Sequence, residues 1–148
     1  MPTRKKSVLF FSTGDSTRSQ FAAGFFRAYA APNVEAVATA VRAKQISPYA
    51  AEVMREVGID ISGQQPKTVS ETFRRYFTCV VSLCEMPRER CPVWPFTRKL
   101  VKWNVSDPSK EATSDEREVL RRVRDEIGPK VKEFVKNTLQ EIGPTISD

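Results

Sequence analysis

Ser7-Val8-Leu9-Phe10-Phe11-Ser12-Thr13-Gly14-Asp15-Ser16-Thr17-Arg18-Ser19-Gln20 decides how this chain is read. The apolar run up to Phe11 predicts a buried strand. A short loop of small and polar residues follows, and a helix is expected to start near Thr17. A strand, a polar loop with glycine and a helix N-terminus together make a place to hold an anion. Backbone N–H groups of such a loop can converge on one point, where the helix dipole adds positive potential. Arg18 would bring a planar, doubly donating cation to the same point. The plainer alternative is a serine-rich helix cap.

Outward from this stretch, strands and helices alternate. Arg18 to Ala30 reads as a helix with Phe21, Phe25, Phe26 and Tyr29 on one broad face, stopped by Pro32 and Asn33. Val34 to Val41 reads as a second strand. Ser47-Pro48 caps a second helix that ends at Gly58. Ile59 to Ser62 is expected to be a short extended piece, and Val69 to Arg75 a short helix. Phe77 to Leu83 is nearly continuous in apolar residues, as suits the middle of a parallel sheet. Cys84 to Phe96 holds three prolines and reads as a loop. Lys99 to Trp103 is a fourth strand, and Asp107-Pro108 a turn. A polar helix is expected from Ser114 to Glu141, with an interruption allowed at Gly128-Pro129. The pattern predicts one domain over residues 1–148: a doubly wound α/β fold of about four parallel strands with helices on both faces. In such folds ligands sit beyond the C-terminal strand ends. Three loops fall there: Ser12 to Arg18, Cys84 to Phe96, and Asn104 to Lys110.

Composition narrows the function classes. The chain has 148 residues, 40% hydrophobic and 28% charged, as expected of a soluble globular protein. No apolar run approaches the roughly 18 to 20 residues that span a bilayer, and the basic-then-apolar start is too short for a signal peptide. The reading is therefore cytoplasmic, with no membrane partner. The net charge is +6, yet the basic residues are scattered among acids, so no nucleic-acid footprint is read. There is no histidine. That removes any Ser-His or Cys-His catalytic pair and disfavours a Cys/His zinc site. Of the three cysteines, Cys79 sits within the apolar strand and is expected in the core. Cys84 and Cys91 have six residues between them. They are either unrelated thiols or a redox pair, because a disulfide needs Cα atoms within about 7 Å and a proline-containing loop allows but does not require that.

The loop resembles the phosphate-binding loop of the low-molecular-weight tyrosine phosphatase fold. Within that fold it is most similar to the thioredoxin-coupled arsenate reductases, whose loop follows Cys-x5-Arg-Ser. Other segments resemble the family in the same order: Glu52 to Ser62, Val80 to Cys84 with Cys91-Pro92, Trp103 with Asp107-Pro108, and Arg122 to Ile127. The resemblance covers nearly the whole chain.

In that family a first cysteine attacks arsenate. A second cysteine displaces arsenite and forms a disulfide, and a third resolves it into another disulfide that thioredoxin reduces. By resemblance, Ser12 stands at the nucleophile position and Ser19 hydrogen-bonds it. Ser12, Thr13, Gly14, Asp15, Ser16, Thr17, Arg18 and Ser19 hold an arsenate, phosphate or sulfate oxyanion, clamped by Arg18. Cys84 is the intermediate thiol, Cys91 the resolving thiol, and Asp107 the general acid, although Asp107 could be only a turn former. A small oxyanion and a thioredoxin-type reductant are the implied partners, with no tightly bound cofactor. The potassium site of some members is matched here by Asp15, Ala23, Ala38 and Lys67, a poor cation set, so no metal is expected.

The departure lies at the centre. A thiol with pKa near 8.5 is readily driven to thiolate by a helix N-terminus and an arginine. A serine hydroxyl needs a base, and Ser12 cannot enter a disulfide. Asp15 also stands where the family commonly has asparagine, and adds negative charge to the loop. The chain as written is expected to hold an oxyanion better than it attacks one. The alternatives are a non-catalytic oxyanion or phosphoprotein binding module, and a tyrosine phosphatase relative.

Overall fold

The computed structural model describes residues 6–30, 34–42, 45–85, 97–108 and 115–138. Four strands, β1 (Lys6–Asp15), β2 (Val34–Arg42), β3 (Phe77–Cys84) and β4 (Thr97–Asn104), form one sheet in the order β2-β1-β3-β4. Every pairing is parallel. The helices are α1 (Thr17–Tyr29), α2 (Pro48–Arg55), α3 (Val69–Phe73) and α4 (Glu116–Glu133), followed by a π-helical turn at Phe134–Thr138. The α/β class, the four parallel strands and the helices on both faces all stand as expected.

Alternation along β1 explains how the sheet is covered. Val8 and Phe10 point into a larger core cluster, which also takes Phe21, Phe25 and Phe26 of α1, Val53 and Met54 of α2, and Val123, Ile127 and Val131 of α4. Leu9 and Phe11 point the other way, into a smaller cluster with Val37, Phe77 and Val80, against which Val69 of α3 packs. Burying each such large side chain contributes about 1.5–3 kcal/mol. Phe10 anchors the larger cluster, with ring centroids 5.6 Å from Phe26 and 6.5 Å from Trp103. Trp103 is thus a packing residue. Cys79 is fully buried in the same cluster, and burial pushes its thiol up to about 12.

Capping follows the residues that announce it. The Ser47 side chain accepts from Ala50 N–H with Pro48 at the first helical position of α2, and Gly58 adopts φ +80° just beyond that helix. Thr68 and Glu71 form a reciprocal capping box on α3.

One expectation needs correction. β1 does not stop at Phe11: it stays extended to Asp15, with a register shift between Ser12 and Asp15. Three steps on β1 match two on β2, from Ser12↔Ala40 to Asp15↔Arg42, which is a bulge that re-aims the strand end. Ile59 to Ser62, expected as a short extended piece, joins no strand of the sheet. The Asp60 carboxylate accepts from both the N–H and the hydroxyl of Ser62 and bends the chain. The interruption allowed at Gly128-Pro129 does not occur, and α4 runs through both residues. Proline there removes one helical hydrogen bond, but Ile127 and Val131 on either side are fully buried and hold the helix in place.

The register sets up the site. Ser12 pairs with Leu83, and Leu83 with Trp103, so the C-terminal ends of β1, β3 and β4 lie in one row. The chain leaves β1 toward β2 on one side, while β3 lies on the other. The β1/β3 crevice is therefore the topological switch point at which open parallel sheets bind ligands.

Candidate active site

Each side chain of the loop has a defined place. Ser12 is fully buried. Its hydroxyl donates to the Asp15 carbonyl oxygen at 2.7 Å and lies 3.1 Å from the Ser19 hydroxyl. Ser19 Oγ in turn reaches the Ser16 carbonyl oxygen at 3.1 Å. Ser16 precedes the first turn of α1, and its hydroxyl accepts from Gln20 Nε2 at 2.7 Å. The buried Thr13 hydroxyl has no hydrogen-bond partner among the described residues.

The helix N-terminus already meets a negative charge. The Asp15 carboxylate accepts from Thr17 N–H at 3.0 Å, so one of the free N–H groups of the first turn of α1 is bound by a side chain of the loop itself. The expected convergence of N–H groups is modified to that extent.

Arg18 is the largest fully buried side chain in the chain's described part. Nη1 donates to the Val105 carbonyl oxygen at 2.9 Å, and Nη2 lies 3.6 Å from Asp107 Oδ2. Asp107 is also fully buried. Its carboxylate presses on Gly14: a Cβ there would lie 2.6 Å from Asp107 Oδ2 and 3.3 Å from Arg18 Nη2. Only glycine admits both groups so close to the loop backbone.

Three elements thus bring Ser12, Gly14, Arg18, Ser19 and Asp107 together. Cys84 closes β3 in a fully buried position and is disulfide-bonded, whereas Cys79 is a free thiol. The Val105 N–H donates to the Cys84 carbonyl oxygen at 3.1 Å, tying the Asp107 segment to the end of β3. Cys91 lies outside the described residues. Glu85 was not singled out from the sequence, yet its Oε1 accepts from Asp107 N–H at 2.8 Å. Gln20 is a further contact not singled out, although its i, i+4 spacing from Ser16 at the start of α1 is the signal that places the two side chains together.

Beside the loop opens a cleft of about 300 Å³. Asp15, Ser16, Thr17 and Gln20 form its polar wall, and Phe21 and Leu120 belong to its apolar lining. Ser12, Arg18 and Asp107 do not line it. Among the described residues no group of three or more carboxylates or thiols is arranged to hold a metal ion. No helix there is long and apolar enough to cross a membrane.

Comparison with known proteins agrees with this geometry. The family model for low molecular weight phosphotyrosine protein phosphatase matches residues 7–143. An arsenate reductase of Halalkalibacterium halodurans is 37% identical over 134 residues, covering 89% of this chain and 96% of that protein. The solved structure of an arsenate reductase in the phosphate binding state superposes with a TM-score of 0.73 at 29% identity, covering 88% of this chain and 97% of the other. An arsenate reductase in the oxidized state gives a TM-score of 0.75 at 29% identity, covering 93% and 99%. With a shared fold, a matching family model and such relatives along nearly its whole length, the chain belongs to the low molecular weight phosphotyrosine protein phosphatase family, on the side of its arsenate reductases.

Proposed function

We propose that this chain is an arsenate-reductase-type protein. It binds a tetrahedral oxyanion (arsenate, phosphate or sulfate) in the loop from Ser12 to Ser19, with Arg18 as clamp and Asp107 as acid. Cys84 and Cys91 form a thiol–disulfide relay that a thioredoxin-type reductant resets, and no other cofactor is bound. The observation that carries this reading is the buried Arg18 guanidinium beside Gly14 and Asp107 at the β1/β3 switch point.

The chemistry limits what Ser12 can do. With a thiolate at position 12, sulfur would displace one protonated arsenate oxygen as water to form an S–As bond, and a second thiolate would then attack that sulfur and break the S–As bond, releasing arsenite. The two sulfurs end as a disulfide, and their two electrons take arsenic from As(V) to As(III). An oxygen ester at Ser12 offers no sulfur to attack, so that electron transfer has no path. Among the described residues, the polar contacts of Ser12 are a carbonyl and a hydroxyl, neither of them a base. That observation favours a second reading of the same loop: binding an oxyanion, or a phosphoprotein, without turnover.

Ser12→Cys tests the first reading. The reduced variant, freed of reductant and given arsenate without oxygen, is expected to form a Cys84–Cys91 disulfide, detected by mass mapping. The Ser12 chain is expected to form none above its arsenate-free control. Absence of an arsenate-dependent disulfide in the variant would sink the relay and leave the binding module.

A further inference from the structure

We propose that Glu85 is a positioning residue that holds Asp107 in the oxyanion's place, so that the loop is closed by a carboxylate of its own. This inference rests on the oxyanion reading of the loop. A ligand clamped by Arg18 needs the Nη2 face and the space over Gly14. The Asp107 carboxylate already fills both, 3.6 Å from Nη2 and too near Gly14 to admit a Cβ. Neither Arg18 nor Asp107 is exposed to solvent.

Three hydrogen bonds fix the segment that carries Asp107. Arg18 Nη1 donates to Val105 O, and Val105 N–H donates to Cys84 O. Asp107 N–H donates to Glu85 Oε1 at 2.8 Å. The first two use backbone acceptors. The third uses a carboxylate, a stronger acceptor than a neutral carbonyl, and it can be removed without touching the loop or Asp107 itself. Glu85 follows Cys84 directly, so the contact joins the ends of β3 and β4 across the mouth of the site.

An anion that takes the Nη2 face and the space over Gly14 must displace Asp107, so its apparent affinity there is lowered by the fraction of molecules in which Asp107 has moved away. Loosening Asp107 therefore tightens binding.

The test is calorimetric titration with inorganic phosphate of the full chain and its variants. Glu85→Ala and Asp107→Ala are each expected to bind phosphate roughly threefold or more tightly than the parent. Glu85→Gln, whose neutral amide oxygen still accepts the Asp107 N–H, is expected to bind phosphate less tightly than Glu85→Ala. The double variant E85A/D107A should bind no more tightly than D107A. If Glu85→Ala does not fold, Glu85→Met, of similar length but without the carboxylate acceptor, carries the same expectation. Tighter binding in D107A with none in the Glu85 variants overturns the role of Glu85. Unchanged or weaker binding in D107A overturns the self-closure. Phosphate bound by Arg18→Ala as well as by the parent overturns the oxyanion reading itself.

Discussion

Asp107 Oδ2 lies 3.6 Å from Arg18 Nη2 with both side chains wholly excluded from solvent, although 88 positions separate the two in sequence. Desolvating two opposite charges makes the pair far more costly to break than to keep. It also makes each partner depend on the other.

Arg18→Ala is therefore expected to destabilise the fold by about 3–5 kcal/mol, because the buried Asp107 carboxylate loses its guanidinium partner. Asp107→Ala leaves the guanidinium with its Val105 contact and should cost less. The double variant should be more stable than the two single losses added together. Urea unfolding of the four proteins gives the coupling directly, and simple additivity would show that the pair does not interact.

Gly14→Ala should act on the same pair from the other side. The added methyl would stand 2.6 Å from Asp107 Oδ2 and 3.3 Å from Arg18 Nη2, so a buried side chain must move. Overpacking of this kind costs about 1–3 kcal/mol. The loss should shrink in an Asp107→Ala background, where the colliding carboxylate is gone. An equal loss in both backgrounds would place the strain in the backbone instead.

Much of this arrangement was legible from residue pattern, and the rest was set by contacts distant in sequence. The runs Val8 to Phe11 and Phe77 to Leu83 mark central strands because both faces of the sheet are covered, and Ser47-Pro48 marks a helix start by its chemistry. Ser12 to Asp15 was read as loop from its polar residues. Pairing with Ala40 and Arg42 keeps it extended through a bulge, and that partner is invisible locally. Pro129 allows a break by its local chemistry, and burial of Ile127 and Val131 in the core keeps the helix continuous. Arg18 and Asp107 were assigned to one site by resemblance to a family. That Asp107 faces Arg18 over Gly14, and that Glu85 holds it there, depends on how the ends of β1, β3 and β4 align.

Ser82 offers a test of polar burial next to the site. It is fully buried on β3, and its hydroxyl has no hydrogen-bond partner among the described residues. A buried polar group left unpaired costs about 1–3 kcal/mol. Ser82→Ala is therefore expected to leave stability unchanged or to raise it by up to about 1 kcal/mol. A clear loss in the denaturant midpoint would mean that the hydroxyl is satisfied in solution.

Glu56 links α2 to α4 and should mark the acid limit of the fold. It pairs with Arg121 at 2.8 Å and with Arg124 at 2.7 Å. Hydrogen bonds from Arg121 first, then Arg124, hold its carboxyl at about 2, below the ordinary 4.5. Arg124 also donates to the Val53 carbonyl oxygen at 2.9 Å, so the pair is anchored to the core end of α2. A carboxyl whose folded value is depressed contributes stability that is present above its unfolded value. That contribution fades as pH falls from about 4.5 toward about 2. Glu56→Gln should therefore be less stable than the parent at pH 6, and the gap should close progressively between those two values. Urea midpoints measured from pH 2 to pH 7 on both proteins decide the matter. A gap that stays constant across the range would show that the carboxylate charge at Glu56 plays no part in docking α2 on α4.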